Sequence, residues 1–234
     1  MWSSKLVKAQ LRSSAEVIII KRFLSEAIGT FLILLAVVGS GYMASNLTSD
    51  SGIRLLINCV STTLALYLAI QLFKDLSGAH FNPIISIISW LRKELRIVEL
   101  VLDLVGQLIG AIAGVALANL SFGSSALTFS TTSRGGSGQF LGEIVASAGL
   151  VVLVFSSWMK ISIDRRPSLI AMWIASAYFF TASTSFANPV VTVGRMFTDS
   201  YAGIKPHSVT GFVLSQIIGG ILAMGFVQMM ERLK

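Results

Sequence analysis

Six long apolar stretches constrain the fold of this chain more than any other feature. Each stretch has about the 20 residues that a helix needs to cross a hydrocarbon core of about 30 Å. The composition agrees, since 54% of the residues are hydrophobic and only 12% are charged. The sequence therefore predicts an all-α membrane protein with six transmembrane helices. We place them near residues 22–46, 53–73, 96–120, 139–160, 167–187 and 208–230.

Two shorter apolar runs begin with an Asn-Pro pair, Asn82-Pro83 in the first half and Asn188-Pro189 in the second. Asparagine is a strong helix N-cap, and proline is favoured at the first helical position. A helix of about ten residues covers about 15 Å, which is half of the hydrocarbon core. We therefore expect two re-entrant half-helices that start near the midplane and line a cavity, because unpaired backbone is not tolerated against lipid.

The two halves of the chain repeat the same order of polar residues. A glutamate opens each half, the Asn-Pro pair lies in the middle, and a glutamine precedes the last small-residue helix. Three spans per half is an odd number, so the second copy must be inverted, as in an inverted repeat with its site at the midplane. We expect one domain over residues 22–234, with repeats at about 22–120 and 139–232, after an N-terminal tail at 1–21.

The basic residues predict the orientation of the spans. Of the 18 Lys and Arg residues, all but Arg54, Arg134, Arg195 and Lys205 fall on one side of a six-span topology. The positive-inside rule makes that side cytoplasmic, so we expect a multi-pass protein of the plasma (inner) membrane with both termini in the cytoplasm. Because these residues flank apolar segments, the net charge of +7 indicates contact with membrane lipid and no nucleic-acid partner.

The sequence offers little for catalysis. Cys59 is the one cysteine, there are two histidines, and neither a CxxC nor an HExxH motif occurs. No pairing of a nucleophile with a base stands out. We therefore expect no enzyme activity, no metal and no cofactor.

The motifs SGAHFNP (77–83) and SFANP (185–189), with one membrane glutamate per half, resemble the aquaporin (major intrinsic protein) family. The resemblance implies a passive channel for small neutral solutes and a homotetramer with one pore per protomer. Each asparagine oxygen can cap its own half-helix, which leaves the amide N–H₂ to donate into the pore. The family usually has alanine after Asn-Pro. The predicted pore midplane here consists of Asn82, Pro83, Ile84, Asn188, Pro189 and Val190.

The same resemblance assigns a selectivity filter near the outer end of the pore to Thr62, Ser176, Ser185 and Val191. Most of the family has an arginine where Val191 stands, and the nearest arginine, Arg195, comes four residues later. We expect Arg195 to anchor the end of the half-helix with Asp199, outside the filter. The predicted filter is therefore wide, free of arginine and mildly polar, because a guanidinium has been lost. Aquaglyceroporins associated with bacterial arsenic resistance are similar, which implies glycerol-like polyols and arsenite or other metalloid acids as solutes.

Three polar residues are predicted to support the re-entrant loops: Glu26, Glu143 and His80. A carboxylate inside a membrane is costly, so each glutamate needs hydrogen-bond partners, and loop backbone N–H groups are suitable donors. Asp103 has no counterpart in the second half. Two alternatives stay open at this point. One is a secondary transporter that couples flux to protonation of the membrane carboxylates, and the other is a largely closed water channel.

Overall fold

A computed structural model describes residues 3–160, 162 and 164–233, with side chains from Val17 onward. Over these residues the protein folds into eight α-helices and no strand. Six of the helices are long and two are short, as the sequence predicts. Their bounds are α1 Ser3–Leu47, α2 Ser51–Ser77, α3 Pro83–Leu91, α4 Ile97–Ser121, α5 Ser137–Phe155, α6 Arg166–Phe180, α7 Pro189–Arg195 and α8 Pro206–Arg232.

Five of the long helices, α1, α2, α4, α5 and α8, are long and apolar enough to cross a membrane. The sixth, α6, has 15 residues and ends at Phe180, whereas the sequence predicts a span to residue 187. The difference has a local cause, because the Ser/Thr-rich segment after Phe180 leaves the helix and Thr184 and Ser185 take positive φ values of 62° and 52°. Helix α5 also ends earlier than predicted, at Phe155.

Helix α1 is continuous from Ser3, so the described part of the predicted 1–21 tail extends the first membrane helix. Helix α1 packs against α2 and α4 in the first half, and α5 packs against α6 and α8 in the second. Contacts between α2 and α6 join the halves. The order of the contacts is the same in both halves, as an inverted repeat requires.

Glycines bring the helices of each half very close together. A Cβ atom added at Gly110 of α4 would lie 2.1 Å from the carbonyl oxygen of Ala27 in α1. In the second half, a Cβ atom at Gly219 of α8 would lie 2.3 Å from the carbonyl oxygen of Ile144 in α5. Both distances are below van der Waals contact, so only glycine allows this backbone-to-backbone approach.

The half-helices α3 and α7 lie between the two halves. Helix α3 packs against α4 and α8, and α7 packs against α4, α8 and α1, so each short helix touches both repeats. Nine and seven residues correspond to lengths of about 14 and 10 Å. The two half-helices contact each other, and each asparagine side chain bonds to the loop before the other asparagine, which places Asn82 and Asn188 close together.

Candidate functional site

A cavity of about 450 Å³ passes the tips of both half-helices. Both asparagines contribute to its wall. We name its two ends after the orientation that the sequence predicts. The inner mouth is formed by Lys74, Arg92 and Glu94, and the outer mouth by Thr62, Tyr178, Ser185, Val191 and Arg195.

The two asparagines cap their own half-helices and also bind the opposite loop. Asn82 Oδ1 accepts from the backbone N–H of Ile84 at 3.0 Å, and Asn188 Oδ1 accepts from that of Val190 at 3.0 Å. Asn82 Nδ2 donates to the carbonyl of Ala187 at 2.9 Å, while Asn188 Nδ2 donates to the carbonyl of Phe81 at 2.7 Å. Each amide has two hydrogens, so one of each pair is left for the cavity. The sequence predicts the caps but not these bonds between loops.

The loops before the asparagines have the same unusual backbone in both halves. Ala79 and Phe81 have φ values of 53° and 49°, and their equivalents Ser185 and Ala187 have 52° and 51°. Non-glycine residues occupy this left-handed region only when neighbouring groups hold them there. Because the loop backbone is not helical, its N–H groups have no acceptor within a helix. They need acceptors from elsewhere in the protein.

Glu26 supplies those acceptors in the first half. The carboxylate is fully buried and accepts four hydrogen bonds. The donors are Ser77 Oγ at 2.6 Å, His80 N at 3.0 Å, Phe81 N at 2.7 Å and Gln107 Nε2 at 2.8 Å. Hydrogen bonds to an ionised acceptor are the strong ones, so the carboxylate fixes the strained loop.

Glu143 repeats the arrangement in the second half. It is fully buried and accepts from the backbone N–H groups of Phe186 at 2.8 Å and Ala187 at 2.9 Å. Gln216 Nε2 donates to the same carboxylate at 2.6 Å and to Thr192 Oγ1 at 2.8 Å. Both glutamates therefore accept hydrogen bonds from the backbone of the re-entrant loop beside them.

His80 belongs to a polar cluster that has no equivalent among the described residues of the second half. Its Nδ1 lies 3.1 Å from Asp103 Oδ2 and 3.0 Å from Ser86 Oγ. Asp103 is fully buried and also binds Arg22 through two hydrogen bonds of 2.6 Å. The equivalent position in α8 is Phe212, which packs in an aromatic group with Phe186. His80 therefore links its loop to α3 and α4, and Arg22 is the partner of Asp103 that the sequence does not identify.

Ile84 and Val190, two of the predicted midplane residues, do not line the cavity. Each packs into a hydrophobic cluster behind its half-helix, with 6% and 4% of its surface exposed. Ile84 lies against Gly220, where an added Cβ atom would come within 2.8 Å of Ile84 Cγ2. The side chains that are larger than alanine are therefore accommodated in the core and do not narrow the cavity.

Three of the four predicted filter positions, Thr62, Ser185 and Val191, lie in the outer mouth, and Ser176 does not. Ser176 is on the exposed face of α6, so its assignment is corrected. The face of α6 that lines the cavity carries Tyr178, which is 3% exposed. The two residues point to different sides because positions two apart on a helix differ by about 200°. Counting from the asparagines across the irregular 181–188 segment misses this rotation.

Arg195 also lies in the cavity wall, which corrects the prediction of an outer mouth without arginine. It is 2% exposed, its Nε donates to the carbonyl of Ala202, and its guanidinium lies 3.4 Å from the ring centroid of Phe186. Asp199, the predicted partner, instead accepts from Thr131 N at 2.8 Å and Thr131 Oγ1 at 2.9 Å. The contacts with Ala202 and Phe186 hold the guanidinium at the cavity wall.

The inner mouth carries charged groups in pairs. Lys74 Nζ donates to Asp164 Oδ1 at 2.7 Å, and this bond lowers the pKa of the Asp164 carboxyl. Arg92 binds Glu94 at 2.7 Å and Glu231 at 3.3 Å. Within the described residues, no three His, Cys, Asp or Glu side chains are grouped in a way that could hold a metal ion.

An inverted repeat of membrane helices with two half-helix tips in one central cavity defines the class of integral membrane transport proteins, which includes channels and secondary transporters. Residues 13–187 match the family described as Major intrinsic protein, so the chain belongs to the major intrinsic protein family. Aquaglyceroporins of this family are channels and not enzymes. The resemblance that the two Asn-Pro motifs indicate is confirmed.

Similar proteins come from bacteria, plants and a parasite. The chain is 39% identical to the Aquaglyceroporin AqpS of Rhizobium meliloti (strain 1021) over 208 residues, which are 89% of each chain. It is 29% identical to a probable NIP-type aquaporin of Nicotiana alata over 92% of this chain and 79% of that one. The X-ray structure of the aquaglyceroporin from Plasmodium falciparum superposes with a TM-score of 0.67, covering 89% of this chain and 95% of that chain at 21% identity, which shows a shared fold.

Proposed function

We propose that the protein is a passive channel for small uncharged solutes, with glycerol-like polyols and metalloid acids such as arsenite as its solute class. One observation carries the proposal. Asn82 and Asn188 meet in the cavity, and each keeps one amide hydrogen that no loop carbonyl takes. Two fixed donors suit a neutral solute with lone pairs, because such a solute can replace its hydrogen bonds to water by hydrogen bonds to the two amides at little cost.

The walls of the cavity favour hydroxyl-bearing solutes over water alone. Ile33, Val37 and Ile174 provide apolar surface for the carbon atoms of a polyol. On the polar side, Asn82 and Asn188 line the same cavity with their side-chain amides. A wall with one apolar and one polar side fits an amphiphilic solute, because each buried polar group must find a partner. The name of the similar AqpS, an aquaglyceroporin, agrees with this solute class.

We also propose that the protein is a homotetramer in the plasma (inner) membrane with both termini in the cytoplasm. The family resemblance supports the tetramer, and the one-sided distribution of Lys and Arg supports the orientation. Large hydrophobic side chains are exposed along the long helices, including Leu56, Leu64 and Leu72 of α2, as contact with lipid or neighbouring protomers requires.

Solute flux into liposomes tests the channel. Purified protein is reconstituted, and swelling in gradients of glycerol, urea and arsenite is followed by stopped-flow light scattering against protein-free liposomes. We expect faster swelling in glycerol and arsenite. Swelling no faster than in protein-free liposomes would contradict the proposal and favour the largely closed channel.

A pair of leucine substitutions tests the outer mouth. Thr62→Leu adds volume to the cavity wall and narrows the outer mouth, so glycerol flux should fall by about tenfold or more. Ser176→Leu makes the same size of change on the exposed face of α6 and should leave flux within about twofold of the parent, since the side chain meets lipid. Equal effects of the two substitutions would show that the cavity is not the solute path.

The secondary-transporter alternative predicts a different dependence. Coupled flux needs a carboxylate that exchanges protons, whereas Glu26 and Glu143 are each saturated by donors of the loop they support. We expect glycerol flux to be unchanged when a proton or sodium gradient is imposed across the liposome. A flux that follows the gradient would support the transporter.

A further inference from the structure

A second pocket, which we call the outer pocket, lies on the side of the molecule that carries the outer mouth, between the first turns of α5 and α8. Its volume is about 480 Å³, and it shares no lining residue with the central cavity. Its polar lining consists of Ser133, Arg134, Gln139, His207 and Ser208, and none of its nine lining residues is acidic. A pocket with several hydrogen-bond donors and no carboxylate is suited to an anion.

Both helices begin at the outer pocket without a negative group. Gly136 is the N-cap of α5 and Lys205 is that of α8, and neither helix has a side-chain cap or an acidic residue in its first turn. The N-terminus of a helix carries about half a positive charge, so the two helix ends add to the charge of Arg134. Among the described residues, neither Arg134 nor Lys205 forms a salt bridge. The outer pocket therefore concentrates positive charge that this part of the chain does not neutralise.

The first repeat fills the equivalent position with a carboxylate. In α4, Glu99 accepts from the backbone N–H of the N-cap residue Arg96 at 2.8 Å and from its guanidinium at 2.7 Å. The equivalent residues of α8 are Ser208 and Lys205, because both pairs lie equally far before the glutamine that binds the loop glutamate. Ser208 is uncharged, and its Oγ accepts from the backbone N–H of Arg134 at 3.2 Å. The carboxylate at the helix start thus has no equivalent in the second repeat, and an anion from outside the chain can take its place.

An exposed apolar strip of α8 continues from the outer pocket along the helix. Leu214 and Ile218 follow His207 by about two and three helical turns, which places all three on the same face of α8. The side chains of Leu214 and Ile218 are 55% and 46% exposed. A membrane phospholipid has its groups in the same order, with a phosphate at the membrane surface and acyl chains below it. A phospholipid therefore fits the outer pocket and the strip together.

We propose that the outer pocket binds a phosphate group, and that a phospholipid of the surrounding membrane carries it. Arg134 donates from Nε and Nη2 to loop carbonyls, which fixes the side chain and leaves Nη1 for the phosphate. The Gln139 amide and the N–H groups at the starts of α5 and α8 are the other donors. Donors from several directions suit a tetrahedral group with several oxygens. The site does not depend on the proposed channel function, because it lies outside the central cavity.

Thermal unfolding of the purified protein in a phosphate-free detergent measures binding, because a ligand of the folded state raises the Tm. The probes are phosphatidylglycerol, diacylglycerol with the same acyl chains, and sodium phosphate against sodium chloride at equal ionic strength. We expect phosphatidylglycerol to raise the Tm of the parent by about 2 °C or more, and diacylglycerol to raise it by less than half as much. Because diacylglycerol offers the same chains without a phosphate, the difference isolates the headgroup.

Gln139→Glu tests the site without disturbing the fold. The substitution keeps the oxygen that accepts from the backbone N–H of Gly135 at 2.7 Å, and a carboxylate in the first turn of a helix is favourable. Its charge repels a phosphate, so the affinity for phosphatidylglycerol should fall by about tenfold or more. Gln228→Glu is the matched control, because it makes the same change on an exposed residue near the other end of α8. It should bind phosphatidylglycerol like the parent.

The outcomes separate the inference from the channel proposal, because none of them is a flux. Stabilisation by phosphatidylglycerol that Gln139→Glu loses and Gln228→Glu keeps supports the inference, even if the parent passes no glycerol. The same pattern with sodium phosphate but not with phosphatidylglycerol supports the phosphate site and refutes the lipid as its source. The inference is overturned if no phosphate probe raises the Tm, if diacylglycerol acts as strongly as phosphatidylglycerol, or if Gln139→Glu responds like the parent.

Discussion

Replacing Gly110 by alanine should separate the two helices that hold the first re-entrant loop. The new Cβ atom would lie 2.1 Å from the carbonyl oxygen of Ala27, and a close C···O contact is about 3.3 Å. The difference, 3.3 − 2.1, requires α1 and α4 to move apart locally by about 1.2 Å. Glu26 and Gln107 lie next to this contact on the same two helices. Their 2.8 Å hydrogen bond would lengthen to about 4 Å, which breaks it.

The expected loss of stability follows from the same distances. Overpacking a well-packed core costs about 1–3 kcal/mol, and a clash with backbone belongs at the upper end because no rotamer change relieves it. Alanine gains about 1 kcal/mol over glycine in a helix. The net change in the free energy of unfolding is therefore a loss of about 2 kcal/mol. For a chain of this size that corresponds to a Tm lower by about 4–8 °C.

The assay compares Gly110→Ala with Gly225→Ala by thermal unfolding in detergent. Gly225 is also helical, but an added Cβ atom there meets nothing within 4 Å, so only the gain in helix propensity applies. We expect its Tm to be equal to or above that of the parent. Glycerol flux per protein should fall in Gly110→Ala alone. If both variants have the parent's Tm, the close contact between α1 and α4 does not exist as described and the reasoning fails.

Three further predictions concern buried polar groups. Asn188→Asp replaces the donor to the Phe81 carbonyl by an acceptor, so solute flux should fall by about tenfold or more in stopped-flow measurements, because a midplane donor and a bond between loops are both lost. Glu143→Gln leaves at least one buried backbone N–H without an acceptor and should lower the free energy of unfolding by about 1–3 kcal/mol, seen as a lower Tm. Asp103→Asn leaves Arg22 without its carboxylate and should cost about 3–5 kcal/mol, which a parent-like Tm would contradict.

The helices were predictable because the sequence features that indicate them, apolar length and Asn-Pro pairs, depend little on long-range packing. Each apolar stretch is long enough to identify by itself, and Asn82 and Asn188 take the N-cap positions that their Asn-Pro pairs predict. The inverted order of the halves follows from an odd number of spans. The glutamates could be assigned to the loops because a membrane carboxylate must find donors, and the re-entrant backbone is where free donors occur.

The side chains that line the outer mouth could not be predicted in the same way. Ser176 and Tyr178 lie on different faces of α6. Which face is turned to the cavity depends on where α6 ends before the irregular segment, and the sequence does not show that end. Arg195 reaches the cavity through its long side chain and its stacking on Phe186, neither of which has a sequence signature. The Arg22–Asp103 pair joins residues 81 positions apart, so only the tertiary structure brings the two together.

The bonds exchanged between the two loops have a consequence for biosynthesis. Asn82 Nδ2 donates to the carbonyl of Ala187, which is made 105 residues later. The carbonyl of Phe81 likewise has no donor until Asn188 has been made. At about 5–20 residues per second, the ribosome needs several seconds to make that partner. During this interval the first loop lies in the bilayer without its hydrogen-bond partners from the second loop. The translocon or trapped water must therefore hydrogen-bond to it until the second repeat has been inserted.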